Sequence, residues 1–198
     1  MALTPSTMLA LGTRAPTFQL RDVISGKMIS RETFTGKQAL LVMFICRHCP
    51  YVQHVKTELA RLGHDYLSRN VGIVAISSND ATNYPDDAPE QLKVMANEEG
   101  FAFPFCYDET QEVANAYTAA CTPDFFLFES QWKLIYRGQL DDSRPGNGKL
   151  VTGKDLRAAL DAALAGVAPS ADQRPSIGCN IKWKKGNEPV YFGVGVKV

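Results

Sequence analysis

The sequence predicts an α/β fold: a central mixed β-sheet flanked by helices. Three observations lead there. Residues 39–45 and 71–76 are apolar runs of strand length without alternation, as expected of strands buried on both faces. Between them Val52, Val55, Leu59, Leu62 and Tyr66 recur at spacings of three and four, which marks one apolar helix face. Later, residues 125–128 and 134–137 bracket Ser130-Gln131-Trp132 and read as a hairpin, adding antiparallel strands.

The remaining elements follow in chain order. Pro5, Gly12 and Pro16 punctuate an irregular start. Residues 18–20 and 27–30 flank Ser25-Gly26 and predict an N-terminal β-hairpin. Residues 77–89 are polar and predict a loop. Residues 90–99 predict a helix stopped by Gly100, residues 103–107 a short strand, and residues 111–119 a short helix. An Ala- and Leu-rich helix is expected over 152–164, with Gly166 as its stop. From Pro169 the chain reads as an irregular C-terminal tail. Ile177, Ile181 and Trp183 in that tail predict docking on the same domain. The organisation is then residues 1–168 as one domain and 169–198 as the docked tail. Strands alternating with helices require a sheet covered on both faces.

Composition narrows function. The chain has 198 residues, of which 45% are hydrophobic and 21% charged, and Lys plus Arg equal Asp plus Glu at 21 each. A formal net charge of zero gives no electrostatic footprint for nucleic acid or an anionic membrane. The N-terminus lacks a basic region followed by a long apolar run, so neither a secretory signal nor a membrane span is predicted, and a cytoplasmic location is expected. Five cysteines, an odd number, do not read as a fully paired secreted scaffold.

The chemistry is expected at Cys46-Arg47-His48-Cys49-Pro50. A C-x-x-C between a buried strand and an amphipathic helix is expected to place the first sulfur, Cys46, at a helix N-terminus, where free N–H groups favour a thiolate. Pro50 suits the first helical turn. The neighbouring cations Arg47 and His48 are expected to lower the Cys46 pKa further and to make the pair more oxidising. Structural zinc would need two more ligands, and no second C-x-x-C or H-x-x-x-H supplies them. His54 and His64 read as surface or boundary residues, and Cys106 as inert core. The Asp141-Asp142-Ser143-Arg144-Pro145 segment reads as a solvated turn.

With these elements in place, the chain resembles the thioredoxin superfamily. Its N-terminal hairpin and long middle insertion resemble the peroxiredoxin-like (redoxin, AhpC-TSA-type) group that carries C-x-x-C. FICRHCPYV, ACTPDFFLF and PSIGCNIKWK carry the likeness, which runs from about Leu11 to Lys184. The resemblance implies a thioredoxin-like fold and a cis proline facing the sulfurs, and Thr122-Pro123 matches it. It implies catalytic roles for Cys46, Cys49 and Pro123, and substrate contacts from Thr122, Arg47 and His48. Ile45 stands where thioredoxins carry Trp, and Leu40 where they carry a buried acid.

The expected activity is thiol–disulfide exchange with protein thiols and disulfides, recharged by a thiol reductant. Cys46 attacks, Cys49 resolves, and no cofactor or metal is required. One alternative is an antioxidant hydroperoxide reductase with Cys49 attacking and Cys46 resolving, although no Pro-x-x-x-Thr/Ser-x-x-Cys pattern is present. Another is a metal- or copper-binding protein using Cys46 and Cys49 with His48 or Cys179. Cys121 and Cys179 are expected as auxiliary thiols around the pair.

Overall fold

The structure, a computed structural model, describes residues 3–193. The main sheet has seven strands: β2 (Gln19–Asp22), β3 (Met28–Ser30), β4 (Ala39–Phe44), β5 (Val71–Ser77), β6 (Phe105–Tyr107), β8 (Asp124–Glu129) and β9 (Leu134–Gly138). Their order across the sheet is β3-β2-β6-β5-β4-β8-β9. The centre, β6-β5-β4, is parallel, and the flanking strands run antiparallel. A second, three-stranded sheet is formed by β1 (Leu3–Pro5), β10 (Ile177–Asn180) and β7 (Cys121–Thr122), in the order β1-β10-β7. The helices are α1 (Pro50–Leu67), α2 (Pro89–Glu99), α3 (Glu112–Ala116) and α4 (Lys154–Leu164). None of the described helices is long and apolar enough to cross a membrane.

The period-two geometry of β4 divides its side chains between two cores. Ala39, Leu41 and Met43 face a cluster shared with Val52, Val55, Leu59 and Leu62 of α1, Leu92 and Met95 of α2, and Leu156 and Leu160 of α4. Leu40, Val42 and Phe44 face the other, with Val113 and Ala114 of α3, Tyr117, Phe126 and Phe128. Every residue of β4 and β5 is buried, which is why neither run alternates. The expected hairpin of β2 and β3 is present, and Gly100 closes α2 in the left-handed region at φ 69°.

Three expectations need correction. The tail is not wholly irregular: β10 pairs with β7 and with β1, so part of the irregular N-terminus is also strand. Its four residues are too few to show alternation, and Gly178 hides them further because glycine is poor in strands. Residues 152–153 precede α4, and their N–H groups donate to the Asp141 carboxylate at 2.7 and 2.6 Å. Asp141, expected in a solvated turn, is 1% exposed and ties that loop to the start of α4. Burial pushes its carboxyl up, but hydrogen bonds from Ser143, Thr152 and Gly153 outweigh this and hold it below its ordinary value.

Candidate active site

Strand β4 ends at Phe44, and the chain turns through residues 45–49 before α1 begins. Pro50 occupies the first turn of the helix and Cys49 is its N-cap. The sulfur at the helix terminus is therefore that of the second cysteine, not the first, because the helix starts after the pair rather than between its members. Both sulfurs are completely buried. Among the described residues no disulfide joins any cysteines.

Facing them is Thr122-Pro123, whose peptide bond is cis, as expected from its position. The Thr122 hydroxyl lies 3.2 Å from Cys46 Sγ, and the Thr122 carbonyl oxygen 3.1 Å from Cys49 Sγ. One residue thus touches both sulfurs. The backbone of Cys121–Thr122 is already laddered to β10, with Cys179 opposite Thr122 and Asn180 opposite Cys121. The stretch that includes Thr122, expected to contact substrate, carries a strand of the chain itself.

The two thiols differ sharply in acidity. A hydrogen bond from Cys46 is the largest influence on Cys49 and pulls it down; hydrogen bonds from Cys179, Thr122 and the Val52 backbone add to this against the cost of burial. The result is a Cys49 thiol lowered to about 5. The Thr122 carbonyl, which accepts from Cys49 at 3.1 Å, opposes the thiolate, while the position at the helix N-terminus favours it. Cys46 goes the other way. Burial, its hydrogen bond to Cys49 and the charge of Asp87 push it well above the ordinary thiol value. The expectation of a lowered Cys46 is overturned.

Arg47 and His48 also act otherwise than expected. Asp87, from the loop after β5, is completely buried and accepts from Arg47 N–H at 2.8 Å, His48 N–H at 3.1 Å, Asn79 Nδ2 at 2.7 Å and the His48 ring. Arg47 itself sits 3.6 Å from Asp86. Both cations are spoken for by carboxylates, so neither is a bare positive charge beside a thiolate. The hydrogen bond to Asp87 raises the His48 pKa. Burial pushes Asp87 up, yet its bonds from His48 and Asn79 outweigh that and hold it low. Asp87 is the site residue that sequence reasoning missed, because nothing in the polar stretch 77–89 distinguishes it from its neighbours. Tyr84 stacks on the His48 ring with centroids 5.5 Å apart, and the Lys182 ammonium lies 5.7 Å from the Tyr84 ring centre.

Cys46, His48 and Asp87 bring potential metal-ligand atoms within 4.8 Å of one another. The Asp87 oxygens already carry four hydrogen bonds, so a cation here would have to displace His48 or Asn79. The other expected thiols are close by. Cys179 is 2% exposed; burial, then the neighbouring Cys49, push it up to about 12. Cys121 is completely buried, with Sγ 3.6 Å from the Pro123 carbonyl, and burial pushes it well up. Cys106 lies in the core on β6, where burial raises it.

Comparison with known proteins bears on the fold and the family. An uncharacterized conserved protein from Geobacillus kaustophilus is 55% identical, with a TM-score of 0.91 over 93% of this chain and 97% of that one. A hypothetical protein from Sinorhizobium meliloti 1021 is 48% identical, with a TM-score of 0.91 over 92% of this chain and 100% of that one. A thioredoxin-family thiol:disulfide interchange protein from Chlorobium tepidum TLS shares 19% identity and the fold, with a TM-score of 0.60 over 78% of this chain and 98% of that one. No curated protein matches the chain. The AhpC/TSA family model matches residues 11–137, which span β2 to β9 and include both cysteines and the cis proline. With that match, and a thioredoxin-like sheet carrying the paired sulfurs, the chain belongs to the AhpC/TSA family.

Proposed function

We propose that the protein is a thiol–disulfide oxidoreductase whose working couple is Cys46 and Cys49, with Cys49 as the thiolate that opens the reaction. The observation that carries this reading is the seating of both sulfurs against the cis Thr122-Pro123 bond, with Cys49 capping α1 and its thiol lowered to about 5. The order of attack is the reverse of the one expected from the sequence.

Cys49 thiolate attacks a disulfide, one sulfur of the substrate leaves as thiolate, and a mixed disulfide forms on Cys49. Cys46 then attacks Cys49, the Cys46–Cys49 bond closes, and the second substrate thiol leaves. Cys46 must lose a proton in this step. The His48–Asp87 pair, within 4.8 Å of its sulfur, is the ionisable pair placed to take it. A thiol reductant reopens the disulfide by the same steps in reverse.

Burial of both sulfurs also favours a second reading, with a small oxidant as substrate. Cys49 thiolate attacks the terminal oxygen of a hydroperoxide, giving Cys49 sulfenic acid and an alcohol or water. Cys46 condenses with the sulfenic acid, forming the disulfide and releasing water.

Two variants test the roles with a low-molecular-weight disulfide and with hydroperoxide. Cys49→Ser is expected to lose both activities. Cys46→Ser is expected to keep the first step, attack by Cys49, and to lose the Cys46–Cys49 disulfide. If Cys49→Ser instead traps substrate while Cys46→Ser is inert, Cys46 is the attacking thiol. Hydroperoxide consumption by Cys46→Ser without disulfide reduction would select the peroxidase reading.

A further inference from the structure

We propose that Cys179 is a third member of the redox centre: its thiol exchanges with the Cys46–Cys49 disulfide and gives the protein a second disulfide state, Cys49–Cys179. The proposal rests on the Cys46–Cys49 couple and adds a partner to it.

Placement carries it. Cys179 stands opposite Thr122 in the β7–β10 ladder, and Thr122 is the residue that touches both reactive sulfurs. The Cys179 thiol is close enough to Cys49 to influence its acidity, as the Cys46 thiol is. The approach is close because residue 178 is glycine. A Cβ there would stand 2.0 Å from the Thr122 carbonyl oxygen and 2.7 Å from its carbon. No other residue lets β10 come this near the cis proline.

The segment is also clamped. Ser6 N–H donates to the Ser176 carbonyl at 2.9 Å, and Ser176 Oγ to the Gly138 carbonyl at 2.8 Å. Ile181 N–H donates to the Ala120 carbonyl at 3.1 Å, and Asp80 N–H to the Lys182 carbonyl at 2.8 Å. Lys182 N–H donates to Asn79 Oδ1 at 2.8 Å, and Asn79 in turn holds Asp87. The strand that delivers Cys179 is therefore tied to the same acid that holds the Cys46 loop. A buried thiol that merely filled space would need none of this registration.

The exchange balances without an external oxidant. Cys179, deprotonated, attacks the Cys49 sulfur of the Cys46–Cys49 disulfide. The Cys49–Cys179 bond forms, the Cys46–Cys49 bond breaks, and the electron pair leaves on Cys46, which takes up the proton that Cys179 gave. When Cys46 is absent the oxidant is a glutathione disulfide. Cys49 attacks it and one glutathione thiolate leaves; Cys179 then displaces the second from Cys49.

The test is disulfide mapping of the full chain after oxidation with glutathione disulfide and acid quenching. Trypsin cuts after Arg47 and puts Cys46 and Cys49 on separate peptides, so the linkages are distinguishable. In Cys46→Ser, most of Cys49 is expected linked to Cys179. Recovery of Cys49 as the stable glutathione mixed disulfide, with Cys179 alkylated, would overturn the proposal. The unmodified protein supplies an independent readout. It is expected to show the Cys46–Cys49 peptide together with a smaller Cys49–Cys179 fraction that disappears in Cys179→Ser. A Cys46–Cys49 peptide alone removes Cys179 and leaves the couple standing. Absence of any Cys46–Cys49 peptide removes the couple itself.

Discussion

Cys179 lies directly across the β7–β10 ladder from Thr122, and Thr122 in turn touches the sulfurs of both Cys46 and Cys49. A strand from the C-terminal tail thus belongs to the candidate site. The sulfurs sit beneath it without solvent contact, held by neighbours that make Cys49 acidic and Cys46 a neutral donor.

The tight seat of β10 predicts the effect of Gly178→Ala. The added methyl meets the Thr122 backbone, which cannot swing aside as a flexible side chain could. Overpacking of this kind costs about 1–3 kcal/mol. Chemical denaturation should show that loss, and alkylation of Cys49 should quicken as β10 lifts. Unchanged stability and unchanged alkylation would mean that the close approach is not maintained in solution.

The acidity of Cys49 predicts a pH signature. A lowered acid stabilises the fold above its ordinary value, near 9.0, and that contribution is lost as pH falls through about 5. Ultraviolet thiolate absorbance of the reduced protein should therefore persist well below neutrality. Cys46→Ala removes the largest stabilising hydrogen bond and should move the transition upward. An unshifted transition would show that Cys46 is not the donor.

The His48–Asp87 pair carries the opposite sign. His48 is raised from its ordinary 6.5, so its contribution is complete below that value and fades as pH rises through the raised one. Asp87→Asn should bring the His48 titration, followed by NMR, back down. It should also cost more stability at mildly acidic than at alkaline pH. An unmoved His48 titration would contradict the pairing.

Much of this was legible in the sequence, and the omissions have one physical cause. Residues 39–45 and 71–76 announce themselves because both their faces are buried, and α1 because its apolar stripe keeps the helical period. Pro123 was found from its place before an apolar run. What escaped notice depends on contacts between distant segments. Neither Leu3–Pro5 nor Ile177–Asn180 holds enough residues to show a period, and each becomes a strand only through its partner. Asp87 and Asp141 look like loop acids until the N–H groups that they satisfy are known. The reversed roles proposed for Cys46 and Cys49 rest on a helix that starts at Pro50 and on cations already bound to Asp86 and Asp87, neither of which the motif itself displays.

Asp124 gives a prediction on the other side of the sheet. It opens β8 completely buried, its Oδ1 has no hydrogen-bond partner, and burial raises its carboxyl well above the ordinary 3.8. A raised acid makes the fold most stable below its unfolded pKa. Stability should then fall as pH rises above that value, at about 1.4 kcal/mol per pH unit until the folded group ionises. Asp124→Asn should flatten the slope and raise the melting temperature more at neutral than at acidic pH. Equal shifts at both pH values would show that Asp124 is not held neutral.

The central claim is that Cys46 and Cys49 form one reversible two-electron couple whose reduced state is favoured by an acidic Cys49. The most direct measurement is equilibration of the full chain with glutathione redox buffers, counting alkylated Cys46 and Cys49 by mass. The account predicts that both alkylation sites are lost together, apart from the smaller Cys49–Cys179 fraction in which Cys46 stays free, with a midpoint on the oxidising side of the roughly −270 mV typical of thioredoxin. Persistence of both sites in the most oxidising buffer, or a midpoint far more negative than that value, would contradict it.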